Sequence, residues 1–179
     1  MERNQAIRQS SNQPVVRVAV DQLLYLMDQA FQGEGALEGA HSFLSNLGSV
    51  GDDDWLWLPP GGGRCIFDIV AHVGECKYVY DSHAFGDGSM RWDRPGTVPV
   101  VERRAAPQSQ IVDWLREGHR RFRESVASLA GDSELLKPRK ANWGESYETR
   151  WLIATIIQHD LYHAGEINHI RALHQGNDG

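Results

Sequence analysis

Thr149-Arg-Trp-Leu-Ile-Ala-Thr-Ile-Ile-Gln-His159-Asp-Leu-Tyr-His163-Ala-Gly-Glu-Ile-Asn-His-Ile-Arg-Ala-Leu-His174 is the stretch whose reading decides the fold. It holds no proline and a single glycine, Gly165, so it predicts one long helix. His159 and His163 are four residues apart, which places them on one face about one turn from each other. Two imidazoles at that spacing can grip one metal ion. Leu152, Ile156 and Ile170 continue the same face, so the histidines point into whatever the helix packs against. A second apolar stripe, Ile153, Ile157, Leu161 and Ala164, lies roughly opposite. A helix apolar on two sides is buried on two sides, either inside the monomer or at a homodimer interface.

The 179 residues fit one domain, and 41% hydrophobic content is ample for its core. The net charge is −6, with no basic stripe, which argues against nucleic acid as a partner. The apolar runs are too short to span a bilayer. Residues 1–14 are polar and lack the apolar core of a signal peptide, so a flexible N-terminal arm, a domain over residues 15–175 and a cytoplasmic protein are expected. Cys65 and Cys76 fall in one predicted helix, about 16 Å apart and beyond disulfide reach, as suits a reducing compartment.

Working outward, Val15 to Phe31 predicts a first helix with Val16, Val20, Leu23, Leu24, Met27 and Phe31 on its apolar face. His41 to Leu47 suits a short helix. Asp52-Asp53-Asp54 suits a capped turn, and Pro59-Pro60-Gly61-Gly62-Gly63 is a firm break. Cys65 to Ala84 reads as the second long helix, with His72 in its middle beside Ile66, Ile69, Val70, Val73 and Val79. Phe85 to Ala106 reads as a long loop over something. Pro107 suits the first turn of a third long helix marked by Ile111, Leu115, Phe122, Val126 and Leu129. Gly131 ends it, and Lys137 to Glu148 reads as loop. Four amphipathic helices, long inter-helix loops and no strand pattern predict an all-α four-helix bundle.

A metal on two histidines needs at least one more protein ligand. His169 follows His159 by ten residues, the spacing of the metzincin proteases. Yet Asp160 stands where those enzymes keep a glutamate, no methionine follows, and an unbroken helix turns His169 about 80° away from His159. His72 is the better third ligand. Cys76, one turn after it, and His119, near the apolar stripe of the third long helix, remain as alternatives. Three neutral histidines would leave positions open for water or substrate, as catalytic sites require.

Ile-Val-Ala-His72-Val-Gly-Glu75, joined to Gln-His159-Asp-Leu-Tyr-His163-Ala-Gly-Glu-Ile-Asn, resembles the DinB family of DinB/YfiT-like metalloenzymes. The preceding Pro-Pro-Gly-Gly-Gly-Arg and the segment ending Ala-Phe-Gly-Asp87 are similar too, and the resemblance runs from about Val18 to Leu173. It implies a four-helix bundle, often dimeric, with a divalent cation, commonly zinc or nickel, on three histidines. By position these map onto His72, His159 and His163. It further implies chemistry on a small-molecule substrate, such as transfer from a low-molecular-weight thiol that the cation activates.

Glu75, one turn from His72, and Glu166, one turn from His163, are placed to orient a ligand or move a proton. Asp160 is turned about 100° from His159 and is better placed to reach a neighbouring helix or fix a histidine tautomer. The plainer reading of both glutamates is exposed helix surface, and that of Cys76 a small core side chain. Gly61-Gly62-Gly63-Arg64 reads as a flexible connector. Trp55, Trp57, Trp92 and Trp143 read as loop anchors, the last two also as pocket lining. Three functions remain on the sequence alone: a thiol-dependent transferase, a hydrolase using metal-bound hydroxide, and a stress-linked metal-binding or interaction protein without turnover.

Overall fold

The computed structural model describes residues 15–33, 41–93 and 107–177. The expected arm at residues 1–14 and the later part of the expected loop, residues 94–106, lie outside them. Helices α1 (Val18–Phe31), α3 (Ile66–Phe85), α4 (Gln108–Ala127) and α5 (Thr149–Gln175) form the bundle, and the short α2 (Phe43–Gly48) closes one end. The all-α reading holds. None of the described helices is long and apolar enough to cross a membrane.

Cross-helix bonds give the directions. Tyr78 Oη donates to the Trp114 carbonyl and Ser125 Oγ to Asp81, so α3 and α4 run parallel. Arg17 reaches the Ala127 carbonyl and Arg123 reaches Asp28, so α1 and α4 are antiparallel. Arg64 meets Glu166 and Lys77 meets Asp160, so α5 is antiparallel to α3. The order is up-down-down-up, and a parallel neighbour in sequence demands a long return connection between α3 and α4. Those two helices approach closely because Gly74 and Gly118 carry no side chain. A Cβ at Gly74 would lie 2.2 Å from the Trp114 ring, and one at Gly118 would lie 2.8 Å from Tyr78.

The core forms two large layers, with a small third cluster of Ala84, Ala141 and Leu152. One gathers Phe31, Phe43, Trp55, Ile69, Val73, Leu115 and Ala164. The other gathers Val20, Met27, Phe122, Val126, Ile153, Ile156 and Ile157. Between them, one turn from Val73 on α3 and from Ala164 on α5, lie Lys77 and Asp160. Both are 1% exposed, and the ammonium donates to both carboxylate oxygens at 2.7 Å. Three members of the second α5 stripe, Ile153, Ile157 and Ala164, are buried within the monomer, while Leu161 is exposed.

Three expectations need correction. Helix α1 begins at Val18, and Val15 and Val16 are exposed before it. Its start is set from a distance, because Asp132 Oδ1 accepts from the amides of Ala19 and Val20 and serves as the cap that Arg17 cannot provide. The Lys137–Glu148 segment is not plain loop. β1 (Pro138–Lys140) and β2 (Ser146–Glu148) pair antiparallel, turned through Gly144 at φ 98°. Strands of three residues holding a proline and several charges carry no period-two signal. They follow a 3-10 turn, Asp132–Leu136. The hairpin fixes the start of α5, where the Thr149 amide and hydroxyl both donate to the Lys137 carbonyl. Pro107 caps α4 rather than opening its first turn. At the far end Gly176, at φ 70°, terminates α5.

Candidate metal centre

Antiparallel α3 and α5 bring four donors to one place. Each helix supplies a pair at i, i+4: His72 with Cys76, and His159 with His163. His159 Nε2 lies 3.1 Å from His72 Nε2 and 3.2 Å from His163 Nε2. Cys76 Sγ lies 3.7 Å from His72 Nε2 and 3.6 Å from His159 Nε2. The ligand atoms of His72, Cys76 and His159 all fall within 4.8 Å of one another. His163 stands outside that set and joins through its contact with His159.

The donor chemistry fits a divalent cation. At metal–nitrogen distances of about 2.0–2.1 Å, nitrogens on neighbouring corners stand about 3.0 Å apart in an octahedron and about 3.4 Å in a tetrahedron. The two nitrogen contacts fall between those values. Burial, reinforced by the charges of His163 and His72, pushes His159 down to about 3. Burial also lowers His163, against the opposing pull of Glu166. Neutral imidazole is the form that ligates. Burial pushes the Cys76 thiol up to about 12, outweighing the neighbouring Lys77 cation.

Glu166 is hydrogen-bonded to His163 and to Arg64. Its Oε2 accepts from His163 Nδ1 at 2.7 Å, which leaves Nε2 to face the centre. Arg64 Nη2 donates to both oxygens of the same carboxylate, at 2.8 and 3.2 Å. The three-glycine connector therefore delivers a side chain that holds Glu166, a function its composition did not reveal. A carboxylate behind a ligating histidine fixes tautomer and ring direction.

Asp160 is committed to Lys77 and so contacts a neighbouring helix, the first of its two expected roles. Glu75 is half-buried, and its charge is felt at Cys76. His119 is not part of the centre. It is buried, stacked on Phe31 with centroids 3.9 Å apart, and lines a cleft of about 570 Å³ with Leu44, Arg116 and Arg123 that shares no lining residue with the centre. His169 is exposed, as an unbroken helix requires. His174 donates to the buried Asp54 at 2.6 Å and ties the end of α5 to the turn before α3. Neither cysteine is in a disulfide.

Aromatic side chains flank the donors. Trp92, from the segment after α3, stacks on His72 with centroids 6.2 Å apart, and the exposed Tyr162 sets its ring against the edge of His163 at 4.9 Å. Trp143 packs on Tyr80, which lies about two turns along α3 from His72 and about 80° round from it. Of the two tryptophans read as pocket lining, Trp92 touches a donor. Lys77 and Tyr162 went unread. The signal for Lys77 was a cation in a helix buried on nearly every side, matched by the buried Asp160 on α5.

No curated protein matches the chain. Residues 37–167 match the DinB superfamily, a span running from before α2 to Ile167 and taking in His72, His159, His163 and Glu166. With the all-α bundle and the converging donors, that match over most of the sequence places this chain in the DinB superfamily.

Proposed function

We propose that the protein is a divalent-metal-dependent enzyme that activates a low-molecular-weight thiol for transfer to a small electrophile, with His72, His159 and His163 as its metal ligands and zinc or nickel as its cation. The observation that carries this reading is the meeting of three imidazole Nε2 atoms across two helices, with Glu166 behind His163. A bound divalent cation lowers the pKa of a thiol or water, so that the anion forms at neutral pH. Glu166 holds the Nδ1 proton of His163 and aims Nε2, and Arg64 balances the charge of that carboxylate. Lys77 balances Asp160 in the same way. Those two carboxylates each have a cation of their own, so neither neutralises a cation at the centre, which favours an anionic sulfur there. Trp92 stacks beside His72, with centroids 6.2 Å apart.

The test is metal content of the untagged protein, purified without chelator, beside His163→Ala. About one equivalent of zinc or nickel in the wild type, lost in the variant, is expected, followed by thiol-dependent consumption of an electrophile. Equal metal in both, or none after reconstitution, overturns the reading. Turnover that is indifferent to thiol would transfer the site to hydrolysis.

A further inference from the structure

Cys76 has no task in the three-histidine reading, yet its place is specific. It is 4% exposed, and its sulfur lies 3.6 and 3.7 Å from two of the three converging nitrogens. With metal–sulfur and metal–nitrogen bonds of about 2.3 and 2.0–2.1 Å, a sulfur and a nitrogen on adjacent corners of a tetrahedron are about 3.6 Å apart. The two helices also contribute alike, one i, i+4 pair each. A core cysteine needs no such register with two imidazoles.

We propose that Cys76 is a fourth, internal ligand, and that its sulfur occupies the position an exogenous thiol must take. The resting centre is then closed, and a substrate thiol enters by replacing Cys76. This rests on the metal reading above and specifies how that site is regulated. The exchange is balanced. A bond to the incoming sulfur forms as the bond to the Cys76 sulfur breaks, and the proton of the incoming thiol ends on Cys76. No electrons are transferred. Water is a harder, weaker donor than thiolate and does not displace it. A closed centre therefore discriminates against hydrolysis without needing to exclude water from the whole pocket.

The experiment loads the full-length, untagged protein with Co²⁺ in the absence of thiol, beside Cys76→Ser and Cys76→Ala, with circular dichroism to verify the fold of each. The wild type is expected to bind one Co²⁺ per chain and to show thiolate-to-cobalt charge-transfer absorption in the near ultraviolet. Both variants are expected to bind cobalt through the histidines and to lack that band. Calorimetric titration of the loaded proteins with 2-mercaptoethanol then reads the gate. If Cys76 holds the position nine-tenths of the time, thiol binds Cys76→Ala about tenfold tighter than wild type. Stoichiometric cobalt without the band, or a band that survives Cys76→Ser, refutes ligation by Cys76 and leaves the histidine reading standing. Equal thiol affinity in wild type and Cys76→Ala refutes the gate. No cobalt in any of the three overturns the metal reading itself.

Discussion

The buried pair between Lys77 and Asp160 makes a demanding test of the core. Both side chains are 1% exposed, and both ammonium–carboxylate contacts are 2.7 Å. Asp160→Leu strands an ammonium, and Lys77→Met strands a carboxylate, in a place water does not reach. Removing one partner of such a pair costs about 3–5 kcal/mol. For a domain of this length about 2–4 °C is lost per kcal/mol, so each single variant is expected to melt about 6–20 °C below wild type. The double variant leaves no charge behind and places two apolar chains between two apolar layers. It is expected within about 1 kcal/mol of wild type or above it. Urea unfolding followed by circular dichroism on the four proteins closes the cycle. Single costs that add up in the double variant, or that each fall under about 1 kcal/mol, would refute the reasoning, because the charges would then be solvated or uncoupled.

Three further outcomes follow from the geometry. Glu166→Gln removes the carboxylate behind His163 and should weaken metal binding about 10- to 100-fold in a chelator competition, with helix content unchanged; His169→Ala, on the exposed face, should leave affinity as it was. Gly74→Ala drives a Cβ to within 2.2 Å of the Trp114 ring and should destabilise by about 1–3 kcal/mol in thermal melts, whereas Gly165→Ala meets nothing within 4 Å and should be neutral or stabilising. The metal-free protein should lose stability on acidification. His159 sits near 3 when folded, against 6.5 ordinarily. Between those values the unfolded chain binds more protons, so stability falls as pH drops from about 6.5 toward 3. Urea midpoints at pH 7.5 and 5.0 read this directly, and a midpoint independent of pH would contradict the buried, neutral state of His159.

The sequence was most legible where one physical signal repeated. Helix α5 declared itself through 26 proline-free residues from Thr149 to His174, and α4 through its three- and four-residue apolar steps. His159 and His163 came from spacing alone, and the mid-helix position of His72 pointed across to them. What stayed hidden depended on partners distant in sequence. Asp132 caps α1 over a separation of 113 residues from Ala19, and no local pattern carries that. Arg64 looked like the end of a linker because its meaning lies in Glu166, 102 residues on. Cys76 is buried, as its plainer reading has it, but its distances to two imidazoles were not readable from sequence. The hairpin was invisible for a different reason, since a strand of three residues holds only one and a half periods of a two-residue alternation.

The two halves of the donor set belong to different moments of the protein's making. His72 and Cys76 are complete once α3 has emerged, but His159 lies 87 residues later, on the helix synthesised after all the other bundle helices. A growing chain can offer an ion only one imidazole and one thiol until α5 is made and docked, and that half-site must compete with every cellular chelator. In the proposed metal-dependent enzyme, capture of the ion is therefore a late event, coupled to the last closure of the bundle. It stabilises the finished molecule by mass action, about 2.7 kcal/mol at a free ion concentration one hundred times the dissociation constant. A chain halted before α5 would go without that stabilisation.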